Sequence, residues 1–264
     1  MSDGTRRVDL WRWCGCQSRA DTDVVVEECA IALSYNGVAH AVMMATPIDL
    51  EDYALGYSLS EGIIGAAGEL RFVEALRRDD GIVLELAIPQ MRFEALASRT
   101  RRTFGNSACG LCGSEALLEA LRPTPEVTAH VADPAYIVVA LARFAERQRL
   151  NIATGGAHAA AWCVDDEVRM LREDVGRHNA FDKLVGALAR AGIDARDGYA
   201  IVSSRASYEL VHKAATAGIG ALVAMSAPTS AAVDGAKRCG LRLIGFARDG
   251  AMNVYTNPDF AENE

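Results

Sequence analysis

No run in this sequence approaches the about 18 consecutive apolar residues that a membrane-spanning helix needs. Mean hydropathy is only +0.07, and a soluble protein is expected. An uninterrupted apolar core behind Arg6-Arg7 is also missing, so the amino terminus does not read as a secretory or export signal, and a cytoplasmic location follows. Positive charge is in deficit, with 27 Lys and Arg against 35 Asp and Glu for a formal net charge of -8. A general nucleic-acid binder needs a basic face, so an anionic ligand would have to be held locally. Neither a P-loop nor a dinucleotide glycine fingerprint is present. The seven cysteines are odd in number and scattered over 264 residues, which does not make a secreted disulfide framework. Cys29, Cys163 and Cys239 sit in apolar or helical patterns and are expected to act as small buried hydrophobes.

Half of the residues are hydrophobic, enough for one sizeable core or two modest ones. Residues 1–20 hold arginines and two tryptophans without a clear period and read as an arm. Cys14-Gly15-Cys16 lies within it; two thiolates at that spacing could bind metal, but chance occurrence in an arm is the simpler account. From Val24 to Met44 two β-prone runs flank Tyr35-Asn36-Gly37, the strongest short hairpin signal. Pro47 and Asp49 open a helix to about Ile63, with Leu50, Ala54, Leu55, Leu59 and Ile63 as an apolar stripe. Ile82 to Ile88 alternates as a strand.

Asp133-Pro134 marks the start of a helix from Ala135 to Leu150. Beyond it strand and helix alternate. Strands are expected at Ala159–Val164, Val168–Leu171, Tyr199–Val202, Ala221–Met225 and Leu241–Phe246, and helices at Asn179–Ala191, Tyr208–Ala217 and Ser230–Cys239. This is an α/β pattern, a mostly parallel sheet with helices on both faces. An arm over 1–20, an α+β part over 21–132 and an α/β cofactor-binding domain over 133–264 follow. Three strands run into polar or glycine-containing loops, Ser203–Ser207, Ser226–Ser230 and Ala247–Gly250. Parallel strands would bring all three to one edge, where open α/β folds place ligands. Helix starts, with Arg205 and Arg248 nearby, would suit phosphate oxygens. Helix capping alone accounts for two of these loops.

Cys109 and Cys112 stand three residues apart in Gly105-Asn106-Ser107-Ala108-Cys109-Gly110-Leu111-Cys112-Gly113-Ser114, which predicts a mobile, exposed loop over 105–113. Ser114 could cap a short helix to Leu121, favouring a Cys112 thiolate, and the basic Arg99–Arg102 run could do the same for Cys109. Structural zinc would need two further ligands. A thioredoxin-like dithiol would normally follow an early strand in a βαβ unit. A pair without function would leave two exposed thiols as a liability. Sulfur relay uses both the proximity and the mobility, with a persulfide on one cysteine beside a second thiol.

Several strings together resemble one family: Ser107 to Gly113, Gly155-Gly156-Ala157-His158-Ala159-Ala160, Arg172 to Lys183, Ser204 to Val211, Ser226 to Ser230, and Gly245 to Gly250 with Asn253 to Thr256. They are similar to the formate dehydrogenase accessory sulfurtransferase (FdhD) family, from about Glu27 to Pro258. The resemblance implies a cytidine-deaminase-like α/β fold, a cytoplasmic homodimer, and sulfur transfer from a cysteine desulfurase to the Mo-bis-molybdopterin guanine dinucleotide cofactor before its insertion into formate dehydrogenase. It makes Cys109 the persulfide intermediate and Cys112 its partner, and puts Phe246, Ala247, Arg248, Asp249, Gly250 and Ala251 in the cofactor pocket. His158 and Asp174 could line the same site or serve structure alone. Zinc deamination is disfavoured, since Ala159-Ala160 follow His158 and Ala108 precedes Cys109, which breaks both deaminase signatures. The alternatives are a cofactor-binding chaperone without sulfur chemistry and a thiol-disulfide oxidoreductase.

Overall fold

The computed structural model describes residues 3–104, 124–130 and 132–257. The chain begins with a two-stranded antiparallel ribbon, β1 (Thr5–Cys14) and β2 (Gln17–Val26), paired without interruption from Thr5↔Val26 to Cys14↔Gln17. The turn is Gly15-Cys16, with Gly15 at a φ of 63°. The stretch read as an arm thus makes up most of a regular hairpin. Both of its faces meet water along the outer half, so no alternation of apolar and polar residues marked it as strand.

Strands β3 (Cys29–Tyr35) and β4 (Val38–Ala45) form the expected hairpin. Asn36 and Gly37 occupy its turn at φ values of 50° and 81°, the pair of positive angles that a two-residue turn of this hand requires. With β5 (Phe72–Arg78) and β6 (Gly81–Ala87) they make a four-stranded sheet ordered β4-β3-β6-β5. Its inner face carries Ile31, Leu33, Tyr35, Ile82, Leu84 and Leu86 against α1 (Leu50–Ser60). Helix α1 differs from the expected one-sided stripe, because Asp52, Tyr53, Ala54, Leu55, Gly56, Ser58 and Ser60 are all buried. Asp49 precedes it at a φ of 52° and makes no side-chain cap. The basic run at 99–102 closes α2 (Gln90–Phe104).

Asp133 caps α3 (Pro134–Glu146) as expected, its carboxylate accepting the Ala135 N–H at 2.7 Å. The helix does not continue to Leu150. A new one, α4 (Arg149–Thr154), starts instead, because the buried Glu173 carboxylate accepts the N–H groups of Leu150 and Asn151, both at 2.9 Å.

A six-stranded sheet follows, ordered β12-β11-β10-β9-β7-β8. It comprises β7 (His158–Val164), β8 (Glu167–Asp174), β9 (Tyr199–Val202), β10 (Ala221–Ala224), β11 (Arg242–Arg248) and β12 (Ala251–Val254). It is mixed rather than mostly parallel. Only β9, β10 and β11 run together, while β7 opposes both β8 and β9, and β12 opposes β11. Two-residue turns make β7–β8 and β11–β12 antiparallel, and β7 opposes β9 because α5 returns the chain from β8 to a strand that runs in the direction of β8. Helices α5 (Arg177–Ala191), α6 (Tyr208–Thr216) and α7 (Ser230–Cys239) pack on one face through Phe181, Leu184, Leu210 and Ala236. Helix α3 covers the other through Ile137, Leu141 and Phe144.

Helices α1 and α5 join the two sheets. A Cβ on Gly56 would lie 1.7 Å from the Asp182 carbonyl oxygen, and one on Gly186 would lie 1.9 Å from that of Asp52. Charged side chains seal the same seam. Lys213 reaches Asp182 at 2.8 Å and the Ser60 hydroxyl at 2.9 Å, while Arg172 and Arg190 hold opposite oxygens of Asp52, each at 2.7 Å. Among the described residues no helix is long and apolar enough to cross a membrane.

Candidate functional site

Strand ends converge at one edge of the six-stranded sheet. Because β9, β10 and β11 are parallel, the segments that follow them leave on the same side. Strand β7 runs the other way, so its start at His158 reaches this edge, and β8, reversed again, delivers Asp174 and the start of α5. Backbone hydrogen bonds join these segments: Ser203 N to Ala159 O and Thr229 N to Ala206 O, both at 3.0 Å, and Phe246 N to Ser226 O at 3.1 Å.

Two of the loops cap their helices in the ordinary way. The Ser207 hydroxyl accepts the Leu210 N–H, and the Thr229 hydroxyl accepts that of Ala232. Helix α5 is different. Its N-cap is Gly176, no side chain caps it, and the next residue is Arg177, whose Nε is buried without a hydrogen-bond partner. The guanidinium is close enough to His158 and His178 to disfavour a proton on either. An uncapped helix start beside an unsatisfied guanidinium suits an oxyanion such as phosphate.

His158 is half-buried, with Nδ1 3.4 Å from the Ser203 hydroxyl, which itself accepts the Ala159 N–H at 3.0 Å. Burial, and then Arg177, push its pKa below the ordinary 6.5, so the ring is neutral at pH 7. His178 places Nε2 2.7 Å from a Glu209 carboxylate oxygen and 3.4 Å from the Ser207 hydroxyl. Burial pushes its pKa down as well, while Glu209 pulls the other way. Asp174 is structural: fully buried, it pairs with Lys183 at 2.7 Å and accepts N–H groups from Thr46, Gly176 and Asn179.

The six residues expected in the cofactor pocket divide along a bulged hairpin. Phe246 stands at the edge, 39% exposed, at a φ of 52°, an unusual value for a bulky side chain. Ala247 is buried in the core beneath α3. Arg248 and Ala251 pair across Asp249-Gly250, which turn at φ values of 53° and 76°. Arg205 and Arg248 are both exposed. Cys109 and Cys112, with the loop at 105–113 and the helix expected after Ser114, lie outside the described residues. Of the cysteines expected inside, Cys163 and Cys239 are buried and Cys29 is partly exposed; burial pushes Cys163 up to about 12. The segment Glu173 to His178, which the sequence places at a helix start that could line the site, contains Arg177, and the structure puts that residue at the uncapped start of α5.

The sequence model of the FdhD/NarQ family matches residues 26–261. The chain belongs to this family. A relative from Bordetella petrii, named a sulfur carrier protein FdhD, is 46% identical over 90% of this chain and 86% of its own. One of the same name from Xanthomonas euvesicatoria is 49% identical over 92% of this chain and 88% of its own. Another, from Cupriavidus necator, is 46% identical over 96% and 88%. Among solved structures, a chain from Desulfotalea psychrophila described as a formate dehydrogenase accessory protein superposes with a TM-score of 0.75, covering 97% of this chain and 98% of that one. At 21% identity that likeness establishes the shared fold.

Proposed function

We propose that this member of the FdhD/NarQ family is a sulfur carrier serving formate dehydrogenase, and that the sheet edge beside Arg177 holds its anionic cargo. The sulfur-carrier assignment rests on relatives of that name, at 46% to 49% identity, across at least 90% of the chain. For the cargo, the carrying observation is the buried, unpartnered Arg177 Nε at an uncapped helix start. Mo-bis-molybdopterin guanine dinucleotide, with several phosphates, is a cargo for which such a site is chemically suited.

In this proposal a cysteine desulfurase supplies the sulfur. The Cys109 thiolate attacks the terminal sulfur of the donor persulfide, forming a new S–S bond, and the donor cysteine leaves as thiolate. Cys112 stands by as the second thiol. The layering is taken as cytidine-deaminase-like, which the order β8-β7-β9-β10-β11 with helices on both faces supports. Val42, Met44 and Phe72, 63%, 52% and 51% exposed, lie on the outer face of the four-stranded sheet. Such an apolar face supports a homodimer. A reducing cytoplasm would keep the free thiols of the chain reduced.

Incubation with a cysteine desulfurase and L-cysteine should load cyanolysable sulfur onto the protein, and Cys109→Ala should abolish that loading together with formate dehydrogenase maturation. Maturation retained in the variant would overturn sulfur transfer through Cys109 and favour a chaperone that only binds the cofactor.

A further inference from the structure

The β1–β2 ribbon ends in two thiols that the function above does not use. Cys14 closes β1, Cys16 occupies the turn, and both are free and exposed. Every residue from Trp11 to Ala20 is exposed. The other described cysteines are partly or fully buried, and burial pushes the pKa values of Cys29, Cys163 and Cys239 upward, away from the reactive thiolate. Among the described residues, Cys14 and Cys16 are therefore the exposed thiols.

Turn geometry does not account for them. Asparagine, aspartate and glycine suit a two-residue hairpin turn, and an exposed free cysteine is a liability unless it is used. The ribbon meets the rest of the molecule at its base, where the Val26 side chain lies against Gly156, two residues before His158, and the buried Gly4 lies against Leu150 and Thr46. Ten paired residues carry the tip about 30 Å from that base. Trp11 and Trp13, each 69% exposed, share one face of the ribbon just below the thiols. Tryptophan is the side chain that most often anchors protein contacts, so this tip is furnished to meet another protein.

We infer that Cys14 and Cys16 form a second sulfur-accepting site, which takes persulfide sulfur from a protein-borne persulfide docked against Trp11 and Trp13. The inference rests on the sulfur-carrier function proposed above. In the step, a Cys14 or Cys16 thiolate attacks the terminal sulfur of the donor persulfide. A new S–S bond forms on the arm, the donor S–S bond breaks, and the donor cysteine departs as thiolate and regains the proton. No oxidant or reductant is consumed. The neighbouring thiol can repeat the attack and move the sulfur between the two.

The test uses the full chain carrying Cys109→Ser and Cys112→Ser, incubated with a cysteine desulfurase and L-cysteine, alkylated, digested with trypsin and examined by mass spectrometry. The peptide Trp13–Arg19 holds both arm thiols, and it should gain the mass of one sulfur atom. Adding Cys14→Ser and Cys16→Ser should remove that gain. Replacing Trp11 and Trp13 by alanine should slow loading from the desulfurase about tenfold while leaving loading from glutathione persulfide unchanged. Sulfur on the Cys109 peptide of the native chain, with none on Trp13–Arg19, would overturn the arm site and leave the carrier function standing. No sulfur on any peptide of the native chain would overturn both. Equal loading rates with and without the tryptophans would overturn docking of a protein donor.

Discussion

Gly56 and Gly186 lie where α1 and α5 cross, each against the other helix's backbone, with no room for a β-carbon at either position. This crossing joins the four-stranded sheet to the α/β layer and sets the direction in which α5 presents its start at the sheet edge. Gly56→Ala would force its methyl into the Asp182 carbonyl. A loss of about 3 kcal/mol or more is expected, read as a lower denaturation midpoint. Unchanged stability would mean that the helices separate easily.

The Lys183–Asp174 pair is sealed from solvent, and Lys183 also donates to the Thr46 carbonyl at 2.9 Å. Asp174→Ala would leave a buried ammonium without its counter-charge, at a cost of about 3–5 kcal/mol. Lys183→Met added to Asp174→Asn should recover part of that loss. A double-mutant cycle by chemical denaturation measures the coupling, and additive costs would contradict the pairing.

Arg177→Gln should weaken binding of guanosine diphosphate about tenfold or more, because a charge-assisted contact is removed. The melting midpoint of the free protein should hardly move, since Nε has no partner to lose. Calorimetric titration of native and variant chains separates these outcomes, and equal affinities would remove Arg177 from the site.

Burial lowers the pKa values of His40, His130, His158 and His178 from the ordinary 6.5. As pH falls through 6.5 the unfolded chain gains protons that the folded chain refuses, so this contribution to stability is complete above 6.5 and is lost below it. The melting midpoint should drop between pH 7 and pH 5, and His158→Gln should flatten the slope. A midpoint that rises on acidification would contradict the burial.

Much of the fold was legible because some signals are local. Asn36-Gly37 supplies the two positive φ values its turn demands, and Asp133 followed by Pro134 starts a helix from its own side chain and ring. The helices α5, α6 and α7 also fell close to their expected bounds. In the site, the loops after β9 and β10 could be read from buried strands running into helix caps. The approach of His158 to Arg177 could not, since strand β7 brings it from a segment distant in the chain.

By itself the sequence determined the family, through the ordered strings from Ser107 to Thr256, and with it the candidate roles of Cys109 and Cys112. It also determined the α/β alternation of the second half. Only the tertiary structure decided that the sheet is mixed, that the helix beginning at Pro134 stops before Glu173 starts another, that Asp174 is a buried counter-charge, and that Cys14 and Cys16 crown an ordered ribbon. Each of these depends on groups distant in sequence, or on solvent reaching both faces of a strand, and neither leaves a periodic trace in the chain.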